Sequence, residues 1–253
     1  MITKEQVQVL AKKNKIDETT IFREYLQIFF LNKLYSKKKS EKVFFKGGTA
    51  LHLIYQMPRF SEDLDFTVEM NEERFLIFIE NLFEETTKEE KINFKGKSSL
   101  IGRKFLLTAE PDILSYKVFV SLDFSFREKI ICPEKSIIKT DYPVLFRNYV
   151  NHPSKEEIFA EKIRALLTRD KGRDLYDIWY LLNQGVSMDK KLVQEKLKYY
   201  NLEDTKEKEI KKKIEKFSLK DFILDLRPFV PENEREKLAD FFEYAKDYLL
   251  KNI

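Results

Sequence analysis

The run Lys46-Gly47-Gly48-Thr49 and, a short way downstream, Asp63 and Asp65 are residues of the types that handle phosphate and metal ions. An apolar stretch (Val43, Phe44, Phe45) leads into the glycines and an apolar helix follows from Ala50, so the order is strand, glycine turn, helix. Two glycines let the backbone approach a bulky ligand with no Cβ in the way, and Thr49 is placed to cap the helix. The free N–H groups and positive end of such a helix suit phosphate. In Ser61-Glu62-Asp63-Leu64-Asp65-Phe66-Thr67-Val68, strand period puts Asp63, Asp65 and Thr67 on one face and Leu64, Phe66 and Val68 on the other. Neighbouring carboxylates on a half-buried strand repel and are costly to desolvate, so a cation is expected to compensate them. Mg²⁺ fits, because it combines a few carboxylate oxygens with substrate phosphates. The turn is not a P-loop, since no G-K-[ST] follows at the required spacing.

The pattern G-G-T-A-L followed by R-F-S-E-D-L-D-F resembles the AbiEii/AbiGii (MenT-like) toxin family of the nucleotidyltransferase superfamily. In that superfamily a Gly-Ser or Gly-Gly turn holds a triphosphate and the D-x-D binds metal. Thr49 stands where Ser is usual and keeps the hydroxyl. The resemblance therefore implies an NTP held by Lys46, Gly47, Gly48, Thr49 and Ser61, and Mg²⁺ held by Asp63 and Asp65. The superfamily commonly adds a third carboxylate from a neighbouring strand. Asp123 lies on the polar face of such a strand, with a solvent-facing aspartate in an open sheet as the alternative.

A second block, E-E-I-F-A-E-K-I-R-A-L-L-T-R and then R-D-L-Y-D-I-W-Y-L-L, resembles the second signature of the same family, in which a lysine and a later aspartate belong to the active site. Those positions fall on Lys162 and Asp177, with Asp174 as the competing aspartate. A lysine beside a triphosphate neutralises charge that grows on the leaving group. The alternative is an ordinary helical hairpin tied by Arg–Asp pairs such as Arg173–Asp177. The resemblance spans residues 43–68 and 154–182. It implies Mg²⁺-dependent transfer of a nucleoside monophosphate from an NTP to an acceptor with release of pyrophosphate. It further implies the toxin half of a toxin–antitoxin pair and, for some members, the 3′ end of tRNA as acceptor. A protein or small-molecule acceptor, or a catalytically inactive nucleotide-binding module, are the rival readings.

The elements that must position these residues follow from apolar periodicity. Helices are expected over Thr3–Lys12, from Asp17 to about Tyr35, and over Asn71–Glu85, whose acidic outer face is read as solvent-facing. Residues 92–126 read as strands, the best of them Tyr116–Phe126. Cys132-Pro133 opens a linking segment to Pro153, and Cys132 is read as structural. Ser154-Lys155-Glu156-Glu157 reads as a capping box that starts a helix to about Arg169, followed by a helix with Asp174 and Asp177 on one side and Leu175, Ile178, Trp179 and Leu182 inward. After Gly185 the chain is Lys-rich and helical, broken at Pro228 and Pro231. The expected fold is α/β: a nucleotidyltransferase-like mixed sheet with flanking helices over residues 1–150, then a helical C-terminal domain over 151–253 that completes the active site.

Composition limits the chemistry. With 253 residues, 43% hydrophobic and 36% charged, the chain can bury a substantial core beneath a heavily solvated surface. One cysteine excludes an internal disulfide, and with His52 and His152 the only histidines, His-based catalysis and a zinc site are not expected. The N-terminus lacks signal-peptide architecture and no long apolar span follows, so a cytoplasmic protein without a membrane partner is expected. The net charge of +4 hides a segregation: residues 31–60 carry seven basic and one acidic side chain, residues 61–90 two basic and eleven acidic. The basic flank (Lys33, Lys37, Lys38, Lys39, Lys42) would suit a polyanionic acceptor such as RNA, with solvated faces of alternating sign as the plainer alternative.

Overall fold

Apolar residues recurring at strand period and at helical period sort this chain into a sheet with helices laid on one face and a separate bundle of helices. The computed structural model describes residues 1–99, 102–111 and 113–253. Leu100, Ile101 and Asp112, within the stretch expected to form strands, lie outside the described residues. The chain divides into two units, residues 1–56 with 60–153 and residues 57–59 with 154–253.

In the first unit, α1 (Lys4–Asn14) is closed by a Thr3 capping box and α2 (Glu18–Tyr35) by the Asp17 carboxylate, which accepts from the Thr20 N–H at 2.9 Å. After a short 3₁₀ turn come β1 (Val43–Lys46), α3 (Gly47–Tyr55), β2 (Leu64–Val68) and α4 (Glu72–Glu89). Strands β3 (Ile92–Lys97), β4 (Arg103–Ala109) and β5 (Val118–Ser125) complete a five-stranded sheet of order β1-β2-β5-β4-β3. Only β2 and β5 run parallel; the other neighbours are antiparallel, so the sheet is mixed as expected. The linking segment forms a small second sheet, β6 (Pro133–Ser136) with β7 (Val150–Pro153). Cys132 is exposed.

The core lies on the face where Leu64, Phe66, Leu122 and Phe124 project, covered by α2 and α4. Phe66 and Phe124 stack with centroids 4.7 Å apart, Phe30 of α2 meets Phe66 at 6.4 Å, and Phe75 of α4 meets Phe124 at 4.8 Å. Large aromatic areas buried this way anchor both helices and leave the opposite, polar face of the sheet for chemistry.

The second unit is helical: α5 (Lys155–Thr168), α6 (Gly172–Asn183), α7 (Lys190–Lys198), α8 (Glu207–Glu215), α9 (Leu219–Leu226) and α10 (Leu238–Asn252). After the expected break at Pro231, a 3₁₀ turn (Glu232–Lys237) precedes α10. Gly172 packs α6 against α9 so closely that a Cβ would lie 2.6 Å from the Phe222 Cα. Ser154 caps α5, but the Glu157 carboxylate of the expected box is buried and pairs with the equally buried Lys196 of α7 at 2.5 Å. No helix among the described residues is long and apolar enough to cross a membrane.

Candidate active site

Pairing register brings charged residues into one row across the sheet. Lys46 pairs with Asp65, Asp65 with Asp123, Asp123 with Lys104, and Lys104 with Lys97. Directly paired residues project to the same face of a sheet, so the row reads Lys–Asp–Asp–Lys–Lys on the side away from the aromatic core. Asp65 and Asp123, expected on neighbouring strands, are opposite each other. The Lys104 ammonium lies 2.6 Å from Asp123 Oδ2. Its pKa is raised by the hydrogen bond to Asp123 against opposing desolvation, and the charges of Asp123, Asp65 and Asp63 add to the rise. All three predicted carboxylates thus act on a single cation. Asp63 departs from expectation in one respect: β2 begins at Leu64, so Asp63 precedes the strand and is exposed, while Asp65 is half-buried.

The glycine turn touches this row. Gly47 has φ +79°, and a Cβ there would sit 2.3 Å from Asp65 Oδ2. Both the backbone and the approaching carboxylate demand glycine at that position. Helix α3 starts at Gly47 itself with Lys46 as N-cap residue, so Thr49 is not the cap but lies inside the first turn. Its buried hydroxyl donates to the Asp63 carbonyl and ties the turn to the carboxylate segment. The Lys46 side chain is buried, with Nζ 3.8 Å from Oε2 of the buried Glu128. Ser61 is half-buried, and its carbonyl, like that of Glu62, accepts from the Gln27 side-chain amide at 3.0 and 2.9 Å, which fixes the approach to β2.

The second signature forms a buried ion cluster. Lys162 lies 3.0 Å from Asp174 Oδ1 and 2.8 Å from Asp177 Oδ2. Arg59 makes a bidentate pair with Asp177 at 2.7 and 2.6 Å, and Arg169 holds Asp174 at 2.7 and 3.0 Å. Asp174 and Asp177 are fully buried, and in place of the Arg173–Asp177 pair of the alternative reading Arg59 pairs with Asp177, with Arg173 lying over the Phe229 ring at 4.7 Å. Burial pushes the Asp174 carboxyl up, but Lys162 and Arg169 outweigh it and hold the group well below its ordinary value. Burial likewise opposes the charge on Lys162, and the two aspartates overcome it and raise the pKa.

Within the first unit, a glycine turn in contact with a strand carboxylate, with a second carboxylate beside it, is an arrangement suited to phosphate and a metal ion. The sequence model of the nucleotidyl transferase AbiEii toxin, type IV toxin–antitoxin system, matches residues 30–250. The chain belongs to this family. The AbiEii assignment makes it a nucleotidyltransferase and the toxin of a type IV pair, which brings an NTP substrate and an antitoxin partner with it. Solved structures agree on the fold. JHP933 from Helicobacter pylori is similar with TM-score 0.60 and 20% identity, covering 93% of this chain and 94% of that one. The nucleotidyltransferase toxin MenT4 from Mycobacterium tuberculosis is similar with TM-score 0.57 and 18% identity, covering 98% and 99%. No curated protein sequence matches the chain.

Three side chains that pair with candidate residues escaped the sequence reading: Arg59 with Asp177, Lys104 with Asp123 and Glu128 with Lys46. Arg59 sits inside the R-F-S-E-D-L-D-F block, and its place there was the one available signal. Lys104 and Glu128 carry none, because each becomes relevant through strand register or a long-range pairing.

Proposed function

We propose that the protein transfers a nucleoside monophosphate from an NTP to the 3′ end of an RNA, with tRNA as the leading acceptor, in the cytoplasm. The observation that carries this reading is the Asp65–Asp123 pair set directly against the Gly47 turn. Among the described residues no group of three or more His, Cys, Asp or Glu side chains stands ready to enclose an ion. Carboxylates on adjacent strands nevertheless fit Mg²⁺, which keeps several waters and takes further oxygens from substrate phosphates. Asp63, Asp65 and Asp123 would hold it, and when bound it aligns and neutralises the reacting oxygens. Gly47, Gly48 and the first turn of α3 present N–H groups to the β- and γ-phosphates, and Lys46 adds positive charge behind them. Thr49 keeps that turn in register with Asp63 through its hydroxyl, and Ser61 orients the segment between them. The acceptor oxygen bonds to the α-phosphorus, the bond from that phosphorus to the bridging oxygen breaks, and pyrophosphate leaves. Lys162 and Asp177 enter this reading through the second family signature, the lysine offsetting charge on the leaving pyrophosphate.

The test is incubation of the protein with each α-labelled NTP, Mg²⁺ and total RNA. Label is expected in RNase-sensitive material and absent when Mg²⁺ is chelated. Label in protein, or pyrophosphate release with unlabelled RNA, would overturn the RNA acceptor.

A further inference from the structure

The helical unit contains a cavity of about 750 Å³, within the roughly 300–1,000 Å³ of small-molecule sites. Tyr176, Trp179, Phe241 and Tyr244 line it. Trp179 meets Phe241 edge-to-face at 4.6 Å and Tyr244 edge-to-face at 6.4 Å, and Tyr176 lies tilted against Phe241 at 5.4 Å. This aromatic group is not a sealed core. Tyr244 is 53% exposed, and the buried indole N–H of Trp179 has no hydrogen-bond partner among the described residues, whereas packed interiors pair that group. The charged side chains around the cavity balance, Arg59 and Lys237 against Glu234 and Asp240. Net charge therefore does not select the ligand; flat aromatic surface does. Arg59 belongs at once to the cavity wall and to the bidentate pair with Asp177, which also holds Lys162. Arg59 thus links the aromatic walls to the Asp177–Lys162 pair.

We propose that this cavity is a nucleobase-binding pocket, in which a base stacks on the aromatic walls beside the Arg59–Asp177–Lys162 cluster. The proposal rests on the nucleotidyl-transfer reading above and deepens it. The base belongs either to the donor triphosphate or to the acceptor strand, since both offer the same π-face and base–aromatic stacking tolerates any base.

Trp179 is the only tryptophan in the chain, so its fluorescence reports directly on the pocket. The full-length protein is titrated with each of the four NTPs and with single-stranded RNA trinucleotides, using excitation beyond the nucleobase absorption. Saturable quenching is expected, and Tyr244→Ala should weaken the apparent affinity roughly five- to 150-fold through loss of one stacking partner. Because Tyr244 is half-exposed, that variant should keep its fold, which a thermal melt verifies; Phe241→Leu is the second variant. Quenching by NTPs alone assigns the pocket to the donor base, and quenching by trinucleotides alone assigns it to the acceptor. No saturable quenching by any probe, or quenching unchanged in both folded variants, overturns the proposal and leaves the cavity to a nonpolar side chain of a protein partner. Transfer activity with no quenching would defeat this inference alone, whereas quenching without transfer to any acceptor would defeat the catalytic reading alone.

Discussion

Asp65 and Asp123 oppose each other on parallel strands, a placement that costs energy without a cation, and Lys104 supplies one beside Asp123. Replacing Asp63 or Asp65 with Asn should therefore abolish transfer while leaving the melting temperature unchanged or slightly raised, because like-charge repulsion is relieved. Melts and transfer assays on the same preparations check this, and normal transfer at low Mg²⁺ would remove both residues from the site. Gly47→Ala tests the turn by a different route. The substitution forces a Cβ into a left-handed conformation at about 1–2 kcal/mol and drives it against Asp65 Oδ2. A stability loss of that size with NTP binding largely lost is expected; unimpaired NTP binding in a calorimetric titration would show that the turn does not seat the nucleotide.

The α5–α6 hairpin is held by a cluster whose charges are almost all out of water. Lys162→Ala strands Asp174 and Asp177 with one arginine each and should cost about 3–5 kcal/mol of stability. It should also lower NTP affinity or turnover by roughly ten- to a thousand-fold if the ammonium meets the triphosphate. Asp177→Asn keeps the shape and separates the two roles: a folded variant with full turnover would assign the cluster to scaffolding alone. The cluster also sets an acid limit. Asp174 has a folded-state pKa below its ordinary 3.8, so the unfolded chain binds the proton more readily. Its stabilising contribution is complete above about that value and is lost as pH falls through it toward the lower folded value. Denaturant melts over this acid range should lose stability in the native chain and lose less in Asp174→Asn. Alternation made β2 and β5 legible in the sequence, since Leu64, Phe66, Val68 and Val118, Val120, Leu122, Phe124 declare their buried face. Their parallel pairing and register were not legible, because nothing in either strand names its neighbour. Thr49 was misplaced as a cap because glycine disfavours helix interiors, yet the first helical turn needs no N–H partner and so tolerates Gly47 and Gly48. The residues Asp174 and Asp177 were named by the sequence, but their burial was not legible, because it depends on partners such as Arg59, which is distant in the chain.

Across the whole molecule, the basic and acidic blocks of the sequence meet. Lys33 pairs with Glu89 and Lys37 with Glu85, so part of the acidic face of α4 expected to face only solvent is neutralised by the basic flank. Lys38 and Lys39 stay exposed and are the better candidates for an RNA backbone. Replacing Lys37, Lys38 and Lys39 with Gln should flatten the salt dependence of RNA binding by about one slope unit per lost phosphate contact, with NTP binding nearly unchanged. An unaltered slope would return these lysines to plain solvated surface. The chain's path has a separate consequence. Residues 57–59 lie between α3 and β2 in sequence yet belong to the helical unit, where Arg59 clasps Asp177. The helical half is therefore not a cassette: a graft beginning at Ser154 would import an aspartate whose arginine stayed behind in the host. Recombination between relatives must carry this three-residue stitch with the C-terminal half, or match it by chance, and a cut after Pro153 would leave Arg59 and Asp177 on separate polypeptides.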